Sequence, residues 1–209
     1  MNYRATPALE PVNGTRRLRF RKRSFAWIEL DQMDTLNPPR RAAFLDRDGV
    51  LNRKMPEGQY VTSPEEFELL PGAIPGLQLL AARGYRLIVV TNQRGVARRK
   101  LTLDSLSAIH RKMERLLAAN GVALDAIYFC PHGSGECDCR KPQPGLLLRA
   151  FEGFPGLMPG ESVLFGDSES DVEAARRAGV PAVRMTANGS LEAAVRAWLL
   201  AGAPADDQV

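Results

Sequence analysis

The chain of 209 residues has only three cysteines, two histidines and two tryptophans. No segment approaches the roughly 18 consecutive apolar residues that a membrane span needs, and the N-terminus lacks the apolar core of a secretory signal. An odd number of cysteines within one short segment makes a poor disulfide framework. We find no internal repeat. We therefore expect a soluble, cytoplasmic protein that makes no membrane contact.

The composition favours one globular domain with a tail at each end. Hydrophobic residues make up 44% of the chain and charged residues 25%, which excludes disorder over the whole length. A chain of 209 residues is too short for two ordinary domains with linkers. The predicted division is an N-terminal extension over residues 1–41, a folded domain over residues 42–201 and a C-terminal tail over residues 202–209.

The positive charge is concentrated at the N-terminus. Residues 1–41 contain nine Lys or Arg and four Asp or Glu, whereas the whole chain has a net charge of +4. The simpler interpretation is a solvated, partly disordered extension. The alternative is a basic arm that binds nucleic acid, a ribosomal surface or anionic lipid.

From residue 42 onward, short apolar segments alternate with amphipathic ones. The predicted strands are Ala42–Asp46, Leu87–Thr91, Ala126–Cys130, Ser162–Asp167 and Ala182–Met185, and the predicted helices cover about residues 73–83, 102–120, 143–152, 169–178 and 190–201. Continuous apolar strands that alternate with helices indicate an α/β fold, a parallel sheet covered on both faces. Ligands of such sheets bind at the carboxyl ends of the strands.

Two carboxylates follow the first predicted strand. Asp46 and Asp48 are two residues apart, and Gly49 allows the chain to turn after them. An aspartate at the end of a buried strand can attack phosphorus when a metal and cations suppress the repulsion between the two anions. A second carboxyl can protonate the leaving alkoxide, and pairing two carboxylates raises the proton affinity of one of them, which suits that role. Alternatively, this segment is only a hydrophilic turn.

Other polar residues follow later strands. Thr91 and Asn92 supply a hydroxyl and an amide, Arg140 and Lys141 supply paired cations, and Asp167 supplies a hard oxygen that suits Mg²⁺. Each has an ordinary explanation in isolation, such as a helix cap or a solvated loop lysine. Their combination at one edge of a sheet predicts a phosphate site with a magnesium ion.

A second metal site is predicted from the cysteines. Cys130, His132, Cys137 and Cys139 form two short chelating pairs that use every cysteine in the chain, and three thiolates with one imidazole suit tetrahedral Zn²⁺. We expect this zinc to be structural. The alternatives are free buried thiols or a redox pair of Cys137 and Cys139. The other histidine, His110, falls within a predicted helix and is expected at the surface.

The order of these motifs resembles the haloacid dehalogenase-like phosphohydrolase superfamily over about residues 42–185. The motifs are Asp-x-Asp-Gly at residues 46–49, the strand-end Thr91, Lys141-Pro142 and Gly-Asp-x₃-Asp at residues 166–171. The resemblance implies a Rossmann-like doubly wound sheet and an aspartyl-phosphate intermediate. The segments between the motifs leave no room for a cap domain.

The resemblance also implies a role for each matching residue. Asp46 corresponds to the nucleophile, Asp48 to the general acid/base, Thr91 to a phosphoryl-binding hydroxyl and Lys141 to the residue that stabilises charge. Asp46, the backbone carbonyl of Asp48 and Asp167 would bind Mg²⁺. Asp171 matches a position that often orients the lysine.

A narrower resemblance is to two capless, zinc-containing branches of the superfamily, the D-glycero-D-manno-heptose 1,7-bisphosphate phosphatases and the histidinol-phosphate phosphatases. It rests on residues 44–52, 91–98 and 130–142. It implies that the residues contacting the substrate are Thr91, Asn92, Gln93, Arg140 and Lys141, together with the loop after Asn52. The four-residue gap between His132 and Cys137 is closer to the histidinol-phosphate type, and Ser168 stands where heptose enzymes often have a lysine that contacts the substrate. Residues 91–98 are closer to the heptose type.

The predicted function is hydrolysis of a phosphate monoester of a small metabolite by a monomeric, Mg²⁺-dependent enzyme. Heptose 1,7-bisphosphate is the first choice of substrate and histidinol phosphate the second. Two further hypotheses stay open: a phosphatase for nucleic-acid 3′ ends that uses the basic extension, and a non-catalytic interaction module stabilised by zinc.

Overall fold

The structure, a computed structural model, describes residues 40–202. The predicted N-terminal extension and C-terminal tail lie almost entirely outside these residues. Within them the strands are β1 Ala42–Leu45, β2 Arg86–Asn92, β3 Ala126–Cys130, β4 Val163–Gly166 and β5 Ala182–Arg184. The helices are α1 Ala73–Ala81, α2 Leu103–Ala118, α3 Gly145–Gly153, α4 Glu169–Arg177 and α5 Leu191–Leu200, with a 3₁₀ turn at Pro159–Glu161. Every predicted strand and helix is present, with ends that differ by two residues or fewer.

The five described strands form one parallel sheet in the order β3-β2-β1-β4-β5. Leu45 at the end of β1 is in register with Val89 on β2 and Phe165 on β4. The backbone N–H of Asp46 continues this pairing by donating to the Phe165 carbonyl over 3.0 Å. Strands β2 and β3 are added on one side of β1, and β4 and β5 are added on the other side. The strand order therefore switches between β1 and β4, which is where α/β sheets bind ligands.

Helices cover both faces of the sheet, which explains why the strands are apolar throughout. Ala43 and Leu45 pack toward α1, α2 and α5, whereas Ala42 and Phe44 pack toward α3 and α4. All four residues of β1 are fully buried. Side chains of a strand alternate between the two faces, so a strand buried on both needs no polar position.

Each described segment that joins two strands contains one α-helix. After β1 the chain forms a loop and then α1, and α2 alone separates β2 from β3. The described residues therefore contain no cap domain. Among these same residues, no helix combines the length and the apolar character that crossing a bilayer would require.

The prediction that His110 lies at the surface is wrong. The residue is only 3% exposed, and its ring meets that of Phe129 edge to face with centroids 5.6 Å apart. His110 lies on the face of α2 that also buries Leu106 and Met113. This face packs against the sheet, so the histidine is part of the interior.

Candidate active site

Asp46 is the first residue after β1 and is almost buried, with 9% exposure. Its Oδ1 atom accepts a hydrogen bond from Nζ of Lys141 over 2.8 Å. Burial raises the pKa of Asp46 to about 6; Lys141 opposes the increase, while the negative charge of Asp171 adds to it. The candidate nucleophile is thus a desolvated carboxylate held against one ammonium group.

Lys141 is buried among three acceptors. Its Nζ atom lies 2.8 Å from Asp46 Oδ1, 2.5 Å from Asp171 Oδ1 and 2.7 Å from the Val90 carbonyl. Burial lowers the pKa of Lys141, but the charges of Asp46 and Asp171 outweigh that effect and raise it. Asp171 is held in turn by Ser168, whose backbone N–H and hydroxyl donate over 3.0 and 2.6 Å. The Lys141 ammonium group therefore donates hydrogen bonds to Asp46 and to the Val90 carbonyl and forms an ion pair with Asp171.

Asn92 holds the backbone of Lys141. Its Oδ1 atom accepts from the Lys141 N–H and its Nδ2 atom donates to the Lys141 carbonyl, each over 3.0 Å. Asn92 is predicted to contact the substrate, but both ends of its amide already bind protein. This geometry indicates that Asn92 positions the lysine.

The Asp48 carboxylate is turned toward a different set of partners. Nη2 of Arg47 lies 2.9 Å from both of its oxygens, and the amides of Asn52 and Gln93 donate to it over 3.0 and 2.9 Å. Burial alone would raise the pKa of Asp48, but Arg47 and the two amides lower it. From the sequence, the raised pKa is expected at the general acid, Asp48. In the structure it is the pKa of Asp46 that is raised, because burial and the charge of Asp171 outweigh Lys141, whereas Arg47 and the two amides lower the pKa of Asp48.

Arg47 and His110 form a buried pair behind Asp48. Arg47 is 1% exposed, and its Nη1 atom lies 3.3 Å from Nε2 of His110. A guanidinium only donates hydrogen bonds, so Nε2 is the acceptor and the imidazole is neutral. Burial lowers the pKa of His110 to about 3, and the charge of Arg47 adds to this effect. Neither residue was predicted to belong to the site.

The carboxylates of Asp46, Asp167 and Asp171 converge, with one oxygen from each lying within 4.8 Å of the others. Asp167 Oδ1 is buried and has no hydrogen-bond partner, while Asp167 Oδ2 accepts from Nζ of Lys54 over 2.6 Å. Hard carboxylate oxygens are the donors that Mg²⁺ prefers, and an orphaned buried oxygen is one that a cation would satisfy. The residues therefore fit a divalent ion. Lys54 lies on the loop after Asn52 that is predicted to contact the substrate, but its contact with Asp167 was not predicted.

The four predicted zinc ligands also converge. Sγ of Cys137 lies 3.5 Å from Sγ of Cys130 and 3.2 Å from Sγ of Cys139, and Nδ1 of His132 lies 3.6 Å and 3.4 Å from those two sulfurs. Tetrahedral Zn²⁺ bonds of about 2.0–2.3 Å place ligand atoms roughly 3.3–3.8 Å apart. The cluster fits a zinc ion better than a redox pair, because an imidazole and a third sulfur share the same centre.

A cavity of about 210 Å³ opens beside Asp48, between the loop over residues 54–61 and the end of β2. Gln93 lines this cavity and also donates to Thr91 Oγ1 over 2.9 Å, so the predicted phosphoryl-binding hydroxyl is adjacent to the cavity.

Arg140 is half-buried, and its Nη1 atom has no hydrogen-bond partner. The structure thus brings all the predicted catalytic residues to one edge of the sheet.

Comparison with known proteins gives a consistent result. The family model described as a haloacid dehalogenase-like hydrolase matches residues 10–179. A D-glycero-beta-D-manno-heptose-1,7-bisphosphate 7-phosphatase of Rhodopseudomonas palustris is 42% identical over 159 residues, 72% of this chain and 86% of the relative. The D-glycero-alpha-D-manno-heptose-1,7-bisphosphate 7-phosphatase of Mycobacterium tuberculosis is 44% identical over 133 residues, 63% of this chain and 70% of the relative.

One solved structure is similar over most of the fold. It is the D,D-heptose 1,7-bisphosphate phosphatase from B. bronchiseptica, in complex with magnesium and phosphate. Its TM-score is 0.71 at 32% sequence identity, and the match covers 78% of this chain and 99% of that chain.

Proposed function

The chain belongs to the haloacid dehalogenase-like hydrolase family and is a phosphatase, and we propose that it removes the 7-phosphate of D-glycero-D-manno-heptose 1,7-bisphosphate. One observation carries the catalytic part of this proposal: the Asp46 carboxylate forms an ion pair with Lys141 and also converges with the carboxylates of Asp167 and Asp171. Relatives that are 40–44% identical and named as heptose bisphosphate 7-phosphatases support the substrate.

In the proposed reaction a carboxylate oxygen of Asp46 attacks phosphorus and the bond from phosphorus to the sugar oxygen breaks. Asp48 gives its proton to the leaving alkoxide. Water then attacks the phosphorus of phospho-Asp46 and transfers a proton to Asp48, which releases inorganic phosphate and regenerates both carboxyl groups. Asp48 has a lowered pKa before the substrate binds, and the charge of an incoming phosphate raises it.

The surrounding side chains have supporting roles. Lys141 balances the charge of Asp46 and of the transferred group. A divalent cation held by Asp46, Asp167 and the Asp48 carbonyl would supply further positive charge to the phosphoryl oxygens. The desolvated Nη1 of Arg140 lacks an acceptor, which supports a role for Arg140 in binding substrate oxygens.

We also propose that Cys130, His132, Cys137 and Cys139 hold one structural zinc ion. The convergence of their four ligand atoms supports this assignment. The cluster lies between β3 and Lys141, with Cys139 only two residues before the lysine. The ion would therefore order the loop that delivers Arg140 and Lys141 to the site.

The test is a phosphate-release assay with Mg²⁺ on both anomers of heptose 1,7-bisphosphate, on histidinol phosphate and on a 3′-phosphorylated oligonucleotide. Histidinol phosphate is included because the short gap between His132 and Cys137 favours it. We expect kcat/KM for one heptose anomer to exceed the other two substrate classes by at least about 100-fold. Similar low rates on every compound would refute the substrate.

The same assay with the Asp46→Asn variant tests the reaction type. We expect this variant to release no phosphate, because an amide cannot form the acyl phosphate. Asp104→Asn is the matched control, since Asp104 is exposed in the first turn of α2 and has no part in the site. An Asp46→Asn variant that stays as active as this control would exclude the aspartyl-phosphate mechanism.

A further inference from the structure

Lys54 places an ammonium group on the candidate metal site. Its Nζ atom lies 2.6 Å from Oδ2 of Asp167, a side chain that is 1% exposed, whereas the side chain of Lys54 is 43% exposed. Lys54 therefore reaches from solvent to a buried carboxylate. The lysine stands on the loop after β1 and belongs to none of the motifs found in the sequence.

The charges around the site explain why a lysine is held there. Asp46, Asp167 and Asp171 bring three carboxylates together, and Lys141 is the buried cation among them. Burial lowers the pKa of Lys54, but its hydrogen bond to Asp167 outweighs that effect and raises it, and the charges of Asp46 and Asp171 act in the same direction. Lys54 thus reduces a negative charge that a divalent ion would also reduce.

The local backbone leaves room for the contact between Lys54 and Asp167 and fixes the position of Lys54. Gly49 has a φ of +96°, and a Cβ at this residue would collide with Asp167 Oδ2 and press on the Lys54 side chain. Oδ1 of Asn188 accepts from the Lys54 N–H over 2.7 Å, and the Asn188 N–H donates to the Gly49 carbonyl over 2.9 Å. The backbone of Lys54 is therefore anchored, while its four-carbon side chain is free to rotate away from Asp167.

We propose that Lys54 competes with the divalent cation for the Asp167 carboxylate, and that a cation bound there displaces this ammonium group. The proposal rests on the proposed function, which requires a cation at this site. A cation on the unpartnered Oδ1 of Asp167 would lie beside the Lys54 ammonium group on Oδ2 of the same carboxylate, and two positive charges at such a short distance repel each other strongly. Displacement of Lys54 then lowers the affinity for the metal and releases an ammonium group at the rim of the 210 Å³ cavity that Lys54 also lines.

The test is a calorimetric titration of the full chain with Mg²⁺ at low ionic strength, without any phosphorylated compound. We expect Lys54→Met to lower the Kd for Mg²⁺ about three- to tenfold, because the ion no longer displaces a cation. Lys54→Arg keeps the charge and should stay within about twofold of the wild type. Lys100→Met is the matched control, since it removes the same charge from an exposed position outside the described contacts of Asp167.

A Lys54→Met protein that binds Mg²⁺ no more tightly than the wild type would overturn the proposal. So would a Lys100→Met protein that gains as much affinity, or a wild type and a Lys54→Met protein that both bind no Mg²⁺. These outcomes are separate from the phosphatase assay. If the wild type is an active phosphatase but Lys54→Met leaves the Mg²⁺ affinity unchanged, only this inference is refuted. If Lys54→Met binds Mg²⁺ more tightly but the wild type has no phosphatase activity, only the proposed function is refuted.

Lysine acylation gives a second measurement that does not depend on affinity. An N-hydroxysuccinimide ester of acetic acid reacts with free amines, and mass spectrometry reports the extent at each lysine. We expect Mg²⁺ to increase the acetylation rate of Lys54 at least twofold relative to Lys100, because the ammonium leaves Asp167. An unchanged ratio would contradict the displacement.

Discussion

Gly166 lies so close to the side chain of Asp171 that a β-carbon at residue 166 would overlap the Cβ and carboxylate of the aspartate. Asp171 holds Lys141, and Lys141 holds Asp46. Because Gly166 has no side chain, the end of β4 leaves room for the ion pair between Asp171 and Lys141, which positions the candidate nucleophile.

We expect Gly166→Ala to lower the free energy of unfolding by about 1–3 kcal/mol, because the added methyl group overpacks a filled space. It should also lower kcat about tenfold by moving Asp171 away from Lys141. Urea unfolding and steady-state kinetics check the two effects. Gly160→Ala is the control, since a Cβ at Gly160 meets no atom within 4 Å. Equal behaviour of the two variants would show that the close approach has no influence on the site.

Asn92→Ala should lower kcat about tenfold and leave KM within about twofold. The substitution removes two hydrogen bonds to the backbone of Lys141, each worth about 1 kcal/mol, without removing a charge from the site. Steady-state kinetics on the preferred substrate separate the two parameters. A rise in KM at constant kcat would instead identify Asn92 as a substrate contact, as the sequence predicts. Asn120→Ala, at an exposed position two residues after the end of α2, serves as the control.

The buried His110 should make the protein less stable in mild acid. The ring binds a proton below pH 6.5 in the unfolded chain but only near pH 3 in the folded one, so protons favour unfolding over this range. The free energy of unfolding should fall by about 2 kcal/mol between pH 7 and pH 5 from this group. Urea unfolding at the two pH values measures the change.

His110→Gln provides the comparison for this prediction. Its carbonyl oxygen can accept from Arg47 and does not titrate, so the variant should lack the 2 kcal/mol contribution while other groups titrate as before. If wild type and variant lose the same stability between pH 7 and pH 5, then His110 is not held neutral in the folded protein.

The cysteine cluster should hold one zinc ion per chain, and Cys137→Ser should lose it. We expect the variant to lose at least about 2 kcal/mol of stability and most of its activity, because Lys141 follows the cluster directly. Metal analysis, urea unfolding and the phosphate-release assay give the three readouts. Ser134→Ala changes an exposed residue of the same loop and should behave as the wild type. Wild-type protein that contains no zinc would contradict the assignment.

Much of this site could be predicted because each motif stands at the end of a strand. The carboxyl ends of β1, β2 and β4 meet at one edge in a parallel sheet, so Asp46, Thr91 and Asp167 had to lie near one another once the strands were recognised. The strands were recognisable because both faces of the sheet are covered, which makes them apolar without interruption.

The residues that were missed depend on contacts between distant elements. Lys54 meets Asp167 across 113 positions of sequence, and no local pattern signals such a contact. A signal did exist for His110, which lies four residues after Leu106 and three before Met113 on the buried face of α2. Helical spacing with apolar residues was a better guide to its burial than its polarity.

The position of β1 between β2 and β4 has a consequence during synthesis on the ribosome. The segment that carries Asp46 emerges early, but its neighbour β4 and the partner of its lysine, Asp171, emerge more than 115 positions later. Until then the nascent polypeptide leaves one hydrogen-bonding edge of the central strand β1 unpaired, and the phosphate site is not assembled. Ribosome-bound fragments that stop before residue 163 should therefore be unable to adopt the native sheet.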